Sequence, residues 1–477
     1  KSYLILFFII NKEAMTEEQK IQHLYWRAGF GLSPKEFQQK RKQPLNKVIK
    51  DLFKAAKKIQ PVRMPHYNMP SSESLKAMSK TERLEKKKEI QKLTPEINLN
   101  WVRQMTSDDY SCLQEKMTLF WHGHFACESK RFDYAARQIN TIRQYALGNF
   151  RDLVLAISKD TSMILYLNNQ QNKKDKPNEN YARELMELFT IGRGNYTEKD
   201  VKEAARAFTG WFSNRQTGEF KFTERQHDGD SKTFMGKTGN WNGDDIVDML
   251  LDRKETATFL ATKVYRYFVN EKIDDKNVAV LAKVLYQSNY DVGMMMQTLF
   301  ESDWFYDKKN VGVKIKSPIE LLVGMGKVLN LEFGNAKSVL FPQNYLGQML
   351  FRPPNVAGWP GGKTWIDNST LMLRMNFAAV VFQRVELTLE LEDQPEQPKG
   401  RRLKNLDISG DVVALTNVFS KEKEDNLGLE LEAYILQAPF GTKDSFIETL
   451  AKEETTTEGK VKAYVLGLMS LPEYQVC

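Results

Sequence analysis

Apolar residues along the chain recur mostly three and four positions apart, and strict alternation of apolar and polar residues is rare. The first spacing places apolar side chains on one face of an α-helix, whereas alternation is typical of a half-buried strand. We therefore predict a mainly α protein. The expected helical segments are 16–58, a charged helix to about Leu93, 96–107, 111–122, 133–147, 149–158, 179–190, 198–210, 244–268, 275–288, 291–304, a helix after Ser317-Pro318 and a final unit at 411–474.

Two of these segments carry recognisable helix starts. Gly29-Phe30-Gly31 divides 16–58 into two helices, with Ser33 as the N-cap of the second and Pro34 at its first position. Thr197 and Asp200 have the spacing of a capping box ahead of an apolar run. The sequence thus predicts helices that begin immediately after Ser33 and Thr197.

Two stretches depart from helical spacing and suggest how the chain is organised. Residues 212–243 are rich in Gly, Asn, Thr and aromatic residues, with a hairpin expected at Arg215-Gln216-Thr217-Gly218. A polar break covers 392–407. We predict a large multi-helix domain at 15–391 with a small irregular or β-hairpin insertion at 212–243. The break would be a linker to a C-terminal helical unit, 408–477, packed on the main domain.

The beginning of the sequence allows two interpretations. The apolar run from Tyr3 to Ile10 is much shorter than the roughly 20 residues that span a bilayer, and a poor cleavage site follows it. Residues 1–14 are then an upstream extension before Met15, or the remnant of a leader. We expect a cytoplasmic protein if Met15 is the start, and a periplasmic or exported one if residues 1–14 are a truncated signal peptide. No membrane span is expected elsewhere.

Composition and charge narrow the class of protein. Hydrophobic content of 41% and charged content of 27% are ordinary for a soluble globular protein, and three cysteines without metal-type spacing argue against a disulfide framework. The net charge of +8 is concentrated between Lys35 and Lys92, with 17 Lys+Arg against 6 Asp+Glu. Acidic residues interleave there and no nucleic-acid motif is present, so we expect a solvated helical face and no nucleic acid partner.

The first candidate site is the histidine pair in Phe120-Trp121-His122-Gly123-His124-Phe125. Histidine is a common ligand of divalent metal ions. Residues two apart on a helix point about 200° away from each other, so His122 and His124 can share an ion only if the helix ends at Gly123. The alternative is a pair of histidines that cap the helix end within an aromatic cluster.

The second candidate is a polar stripe on the helix expected at 179–190. Asn180, Glu184 and Glu187 fall on one face, and Arg183 lies beside them. Two carboxylates three residues apart can share a metal ion or hold a proton between them. The alternative is an Arg–Glu–Asn network that joins neighbouring helices. A ferritin-like di-iron site would need a Glu-x-x-His motif on each of two helices, and the residue three after Glu184 is Glu187 rather than histidine, which argues against that class.

A third candidate is the dipeptide His227-Asp228 within the irregular insertion. A histidine in a loop can act as a metal ligand or as a general base that a neighbouring aspartate orients. Loops also use such residues to form turns. The sequence leaves both roles open.

A fourth candidate is a Gly/Pro/Trp-rich loop at 351–365, which we call the Trp359 loop. It contains Arg352, Asn355, Trp359 and Trp365 among rigid prolines and permissive glycines. Such a composition suits a binding surface for a sugar or a flexible peptide. The same loop could instead plug the helical domain.

Several widespread catalytic motifs are absent. The sequence has no complete phosphate-binding Gly-x-x-x-x-Gly-Lys-Ser/Thr motif, no Rossmann glycine fingerprint, no Gly-x-Ser-x-Gly elbow and no His-Glu-x-x-His pair. Their absence excludes the common NTPase, dehydrogenase, α/β-hydrolase and zincin classes.

Together these segments resemble the bacterial family called domain of unknown function 1800, over roughly residues 20–475. The ending Leu471-Pro472-Glu473-Tyr474-Gln475 is similar to a Bacteroidetes-type branch. The blocks that carry the resemblance are His23-Leu24-x-x-Arg27-Ala28-Gly29-Phe30-Gly31, Met117-x-x-Phe120-Trp121-His122-Gly123-His124-Phe125, the block 177–211, His227-Asp228, Lys314-x-Lys316-Ser317-Pro318-x-Glu320 and Pro353-Pro354-Asn355-Val356-x-Gly358-Trp359-Pro360-Gly361-Gly362.

The resemblance implies a mainly helical protein without an assigned activity or cofactor. Genes of this family often adjoin those of a second uncharacterised family that resembles sulfatases and alkaline phosphatases and commonly carries export signals. A sulfatase-like partner is therefore expected. Many relatives have histidine where this chain has Phe189, so a metal site in this chain would have to use other residues.

Two functional hypotheses follow from these residues. The first is an enzyme of hydrolytic or oxidative type, whose site combines segments 120–125, 178–187 and 227–230 and uses either a divalent metal ion or a pair of carboxylates. The second is a non-catalytic binding or assembly partner of the sulfatase-like protein, using the Trp359 loop and the basic region at 35–92.

Overall fold

The computed structural model describes residues 14–67, 72–129, 131–214, 217–383, 388–389, 401–402, 406–420, 422, 424–443 and 445–477. Helices dominate these residues and the strands are short, which confirms the predicted mainly α class. Three predictions fall largely outside the described residues: the extension or leader at 1–14, most of the linker at 392–407, and Arg215-Gln216 of the expected hairpin.

The first half of the chain is a series of short helices joined by tight turns. These helices are α1 (Glu17–Ala28), α2 (Pro34–Lys40), α3 (Leu45–Ala56), α4 (Ser72–Ala77), α5 (Lys80–Gln91), α6 (Leu93–Thr106), α7 (Cys112–His124), α8 (Phe132–Tyr145), α9 (Phe150–Ser158), α10 (Thr161–Tyr166), α11 (Asn180–Glu184), which continues as a π-helix (Leu185–Phe189), and α12 (Glu198–Ala207).

The rest of the chain, from residue 211 onward, is also helical and contains the short strands. Its helices are α13 (Gly243–Leu251), α14 (Lys254–Phe268), α15 (Asp275–Gln287), α16 (Val292–Glu301), α17 (Pro318–Val328), α18 (Ala336–Tyr345), α19 (Asn368–Gln383), α20 (Val413–Phe419), α21 (Glu424–Ile435), α22 (Phe446–Lys452) and α23 (Thr457–Met469). Its strands are β1 (Trp211–Ser213), β2 (Phe220–Phe222), β3 (Lys232–Phe234), β4 (Lys237–Gly239), β5 (Glu332–Phe333), β6 (Thr388–Leu389), β7 (Arg401–Arg402) and β8 (Ile408–Ser409).

The strands pair as small antiparallel sheets of two strands each. Within the segment 212–243, β1 pairs with β2 and β3 with β4, so the predicted irregular insertion contains two hairpins. Farther along the chain, β5 pairs with β8 and β6 with β7. The strands thus form small local sheets within a mainly helical protein.

Side-chain caps explain where several helices begin. The side chain of Ser33 accepts the Glu36 N–H and Glu36 returns a bond to the Ser33 backbone, which confirms the predicted start of α2. The capping box at Thr197 is confirmed in the same way. The single long helix predicted after Ser33 is wrong, because α2 ends at Lys40 and α3 begins only after Pro44. Proline lacks the N–H that a continuing helix needs.

Two central helices, α7 and α17, are buried almost all round. Every residue of α17 is buried, and Gly123 is the only residue of α7 that is not. A helix with no solvated face must pair its charged side chains inside the protein. This burial places Lys116 and Glu320 in the core, where they form an ion pair with each other.

The helices at 413–435 pack directly against those near the beginning of the chain. The Phe37 ring lies 6.0 Å from the Phe419 ring and 4.7 Å from the Tyr434 ring, and the Tyr434 hydroxyl donates to the Leu32 carbonyl at 2.7 Å. An antiparallel bridge also joins Ile315 to Val476. The predicted domain boundaries stay a prediction, while the apolar core runs continuously through both parts.

No helix in the described ranges has the length and apolar character needed to cross a bilayer.

Candidate functional site

His122 lies in an aromatic pocket on one side of α7. Its ring is 5.3 Å from the rings of Trp101 and Phe351 and 5.5 Å from the ring of Trp359. Nε2 accepts a hydrogen bond from the Phe351 backbone N–H at 3.1 Å. Burial lowers the pKa of His122 to about 3, so the imidazole is neutral in the folded protein.

His124 instead contacts the end of the π-helix. Its Nε2 lies 3.0 Å from the Phe189 carbonyl, so this nitrogen carries the proton and donates. Nδ1 then accepts from Lys263 Nζ at 3.3 Å, and Lys263 also donates to the Leu188 carbonyl at 2.8 Å. Burial, followed by the charge of Lys263, lowers the pKa of His124 well below its ordinary value. His124 and Lys263 together satisfy two carbonyl groups that end the π-helix.

The structure does not bring His122 and His124 together. The helix predicted to stop at 122 continues through Gly123 to His124, so the two rings point to different sides of α7. The geometric condition for a shared ion is therefore not met. Among the described residues, no group of three or more His, Cys, Asp or Glu side chains is arranged to hold a metal ion. The prediction that these histidines end the helix in an aromatic cluster describes their contacts better.

The Trp359 loop closes over His122. Gly358 has a φ of +83°, and a Cβ atom there would lie 2.4 Å from the Gly123 carbonyl oxygen, so this contact requires glycine. Phe351, which donates to His122, also has a positive φ of 66°. The loop backbone is therefore held closely against the end of α7.

The four predicted binding residues of this loop divide into two groups. Trp365 is buried and Trp359 is half-buried, so both tryptophans pack into the domain. Arg352 and Asn355 are exposed, and Asn355 Oδ1 accepts the Ala357 N–H at 2.9 Å within the loop. Only the two polar residues are available to a binding partner.

Asn180 and Arg183 link α11 to its neighbours. The Asn180 side chain donates to the Leu167 carbonyl at 3.1 Å. Arg183 pairs with Glu179 at 3.1 Å and with Glu198 at 2.7 Å. These contacts correspond to the polar network that the sequence left open as an alternative.

Glu184 and Glu187 have different surroundings. Glu187 accepts from Arg193 Nε at 2.5 Å and from the Tyr196 hydroxyl at 3.1 Å, and its side chain is 16% exposed. Glu184 is half-buried, and no hydrogen bond or ion pair joins it to another described residue. Burial and, second, the charge of Glu187 raise the pKa of Glu184. The pair thus combines a fixed carboxylate with one that is free to exchange a proton.

These two carboxylates lie where α11 becomes a π-helix at Leu185–Phe189. π-helical turns are rare and frequently occur at functional sites. The Thr190 hydroxyl donates to the Leu185 carbonyl at 2.6 Å and supports the widened turn. The sequence indicated a helix here but gave no sign of its π geometry. Lys263 was not predicted either, since nothing distinguishes it from other lysines of an amphipathic helix.

His227 and Asp228 are held in a separate network. Asp228 accepts from Arg206 at 2.6 and 3.2 Å, and His227 Nδ1 lies 2.9 Å from the Thr209 carbonyl. Burial opposes ionisation of Asp228, but the hydrogen bonds and charge of Arg206 outweigh it and lower its pKa. Lys232 also donates to the Asp228 carbonyl. In the described part of the chain, no hydrogen bond connects this network to Glu184, Glu187 or the α7 histidines.

The three predicted segments therefore meet only in part. His124 connects segment 120–125 to segment 178–187 through the Phe189 carbonyl. Segment 227–230 instead joins α12 to the β3–β4 hairpin. The best-supported candidate site is the π-helix with Glu184, Glu187 and their immediate partners.

The buried histidines predict a specific pH dependence of stability. From pH 6.5 down to about 3 the unfolded chain binds a proton on His122 that the folded protein does not, and the lowered pKa of His124 acts in the same direction, so stability should rise with pH across this window. His122→Gln should lower the slope of unfolding free energy by about 1.4 kcal/mol per pH unit. Urea unfolding at several pH values measures that slope. The exposed His66→Gln is the control, and an unchanged slope in His122→Gln would contradict the prediction.

Comparison with known proteins extends the resemblance found in the sequence. The sequence profile described as "Protein of unknown function (DUF1800)" matches residues 23–476, nearly the whole chain. No curated protein and no solved structure matches it. The chain therefore belongs to the DUF1800 family of proteins of unknown function.

Proposed function

We propose that the protein is an enzyme in which Glu184 is the general acid–base group and Glu187 is its charged neighbour. One observation carries the proposal: Glu184 is a half-buried carboxyl group without a hydrogen-bond or ion-pair partner among the described residues, three residues from a second carboxylate. Carboxyl groups whose pKa is raised by burial and by a neighbouring charge concentrate at sites of function.

The different surroundings of Glu184 and Glu187 suit the two carboxyl groups to different roles in proton transfer. Arg193 and Tyr196 hold the Glu187 side chain by hydrogen bonds, and the charge of Glu187 helps raise the pKa of Glu184. A carboxyl group with a raised pKa is closer to the pH at which general acids and bases work best. Pairs of carboxyl groups with opposite tendencies are a recurring arrangement in hydrolytic enzymes.

His124 and Lys263 support this site as positioning residues. They donate hydrogen bonds to the Leu188 and Phe189 carbonyls, which fixes the end of the π-helix four and five residues beyond Glu184. Their nitrogen atoms are occupied in doing so. We therefore favour the carboxylate form of the enzyme hypothesis over the metal-assisted form.

A chemical labelling experiment tests the acid–base proposal without knowledge of the substrate. Carbodiimides activate protonated carboxyl groups, so coupling to an amine near pH 6 should modify Glu184 faster than the exposed Glu332. Peptide mapping by mass spectrometry measures both rates. Glu187→Gln removes the repelling charge and should slow the modification of Glu184. Equal rates at Glu184 and Glu332 would refute a raised pKa at Glu184.

An activity screen tests the enzymatic role itself. Chromogenic carboxylic, phosphate and sulfate esters and glycosides cover the hydrolytic reactions that a carboxyl pair can catalyse. For any substrate turned over, Glu184→Gln should reduce kcat by about a hundredfold, the usual contribution of a positioned acid or base. The matched control is Glu332→Gln. A Glu184→Gln variant with full activity would contradict the proposal.

A second candidate function is binding of a sulfatase-like partner. The exposed Arg352 and Asn355 favour it, because the contact of Gly358 with α7 fixes the backbone of the loop that carries both side chains before any partner binds. Arg352→Ala with Asn355→Ala should weaken such a complex. Co-purification with the product of an adjacent sulfatase-like gene tests it, and failure of the two proteins to associate at micromolar concentration would contradict it.

A further inference from the structure

The core holds a group of buried cationic side chains. Glu320 is buried among them, Glu271 at their edge is 46% exposed, and the charges of Cys477 and Asp367 also act on members of the group. We call the buried cations the core cation cluster; they are Arg27, Lys116, Lys314, Lys316 and Arg374. A buried cation needs hydrogen-bond acceptors and opposite charge to offset the loss of its hydration.

Arg374 and Arg27 are the least satisfied members of the cluster, since each has two guanidinium nitrogens without a hydrogen-bond partner among the described residues. Arg374 is 0% exposed, and its Nη1 donates to the Lys316 carbonyl at 3.1 Å. Its Nε and Nη2 have no hydrogen-bond partner among the described residues. Arginine does not lose its proton in proteins, so this guanidinium remains a charged donor although burial lowers its pKa to about 10.

Lys316 and Tyr474 add further donors beside Arg374. Lys316 Nζ lies 3.8 Å from the centre of the Trp26 ring and 3.7 Å from that of Tyr474, and it donates to the Tyr474 carbonyl at 2.6 Å. The Tyr474 hydroxyl is buried without a partner. Burial lowers the pKa of Lys316 to about 7, and the charges of Arg374 and Lys116 act in the same direction.

The nearby carboxylate cannot satisfy Arg374. Glu320 already accepts from Lys116 and from the Ser317 backbone N–H, the latter at 2.7 Å. Asp367, the other acidic group whose charge acts on Arg374, accepts the Thr370 N–H at 2.7 Å. Neither hydrogen-bonds Arg374, so its two remaining N–H groups are left for an acceptor from outside the chain.

We propose that the core cation cluster binds one small oxyanion of the phosphate or sulfate class through Arg374, with Lys316 and the Tyr474 hydroxyl as further donors. A planar guanidinium with two free N–H positions matches the spacing of oxyanion oxygens. The negative charge of the anion adds to that of Glu320 beside these buried cations. This site is independent of the acid–base site at Glu184.

Anion content gives the first test. The untagged protein is purified in Tris acetate without phosphate or sulfate, dialysed and denatured, and the released anions are identified by ion chromatography. We expect close to one equivalent of phosphate or sulfate per chain. Mass spectrometry of the same extract distinguishes inorganic anions from an organic phosphate. Wild-type protein that carries no anion and gains no stability from added phosphate or sulfate would overturn the proposal.

Stability in the presence of anions gives the second test. Millimolar phosphate or sulfate should raise the wild-type Tm by about 2–5 °C at a hundredfold excess over Kd, relative to sodium chloride of equal ionic strength. Arg374→Met should lose this response, whereas Arg253→Met at the surface should keep it. In anion-free buffer Arg374→Met should melt no lower than wild type, because it removes an unpaired buried charge.

The Tm responses of the three proteins distinguish binding at Arg374 from a general effect of the anions. Saturable stabilisation of wild type and Arg253→Met but not of Arg374→Met supports the site. Equal stabilisation of all three proteins would indicate general salting-out by these anions and would overturn it. If Arg374→Met does not fold, the anion content and the wild-type titration decide between the same two outcomes.

Discussion

Glu320→Gln is expected to lower the free energy of unfolding by about 3–5 kcal/mol at neutral pH, because it leaves Lys116 as an uncompensated buried charge. Lys116 and Glu320 form an ion pair between the two central helices, with side chains that are 2% and 9% exposed. Glutamine keeps the shape of the side chain but not its charge. Urea denaturation followed by circular dichroism measures the loss.

The pH dependence of this difference checks its electrostatic cause. Burial opposes ionisation of Glu320, but the charge and hydrogen bond of Lys116 outweigh it and lower its pKa to about 2. The contribution of ionised Glu320 to the free energy of unfolding is therefore present above the pKa of the unfolded state, near 4.5, and is lost as the pH falls toward 2. The difference between wild type and Glu320→Gln should shrink over that range.

Two further variants separate pairing from packing. The double variant Lys116→Met with Glu320→Met removes both charges and should recover most of the stability, since an apolar pair can replace a buried ion pair. Asp51→Asn breaks the exposed Lys47–Asp51 pair and should have no measurable effect. A Glu320→Gln variant as stable as wild type would show that the pair is not needed.

Gly358→Ala is expected to lower the free energy of unfolding by about 3–4 kcal/mol and to release the Trp359 loop. The new Cβ would lie 2.4 Å from the Gly123 carbonyl oxygen, which is backbone and cannot rotate away. Alanine at positive φ adds about 1–2 kcal/mol of strain, and overpacking about 1–3 kcal/mol. Thermal unfolding measures the stability.

Fluorescence and a control glycine complete this test. Trp359 packs 5.5 Å from His122, so release of the loop should shift tryptophan emission to longer wavelength. Gly361 also has a positive φ, of 76°, but an added Cβ would meet nothing within 4 Å. Gly361→Ala should therefore cost only the backbone strain. Equal losses in the two variants would mean that the contact with Gly123 is unimportant.

The helical class was predictable because amphipathic spacing depends on the sequence alone. Ser33 and Thr197 bond the backbone three residues ahead, so their helices could be located without the rest of the fold. The end of α7 was predicted two residues too early, because Gly123 indicates a helix end when only local preference is considered. In the folded protein the Trp359 loop packs on Gly123, and tertiary contact overrides that preference.

The candidate site was predictable in its residue types but not in its partners. Glu184 and Glu187 stood out because carboxylates interrupted an apolar helix. The contact between His124 and Lys263 joins two helices, and the two residues lie 139 positions apart in the chain. The spacing of residues within one helix cannot reveal such a contact. The core cation cluster was missed for the same reason, since Arg374 and Lys316 lie 58 residues apart.

The contact between Leu32 and Tyr434 has a consequence for biosynthesis. These residues are 402 positions apart in the chain, and the Phe37 ring also packs against Tyr434, which lies in α21. The emerging chain therefore leaves Leu32 and Phe37 without this partner until residue 434 has left the ribosome. Such long-range closure slows folding and leaves early segments open to aggregation. Protection of α2 by chaperones during translation, rather than folding from the N-terminus onward, is the expected route to the native protein.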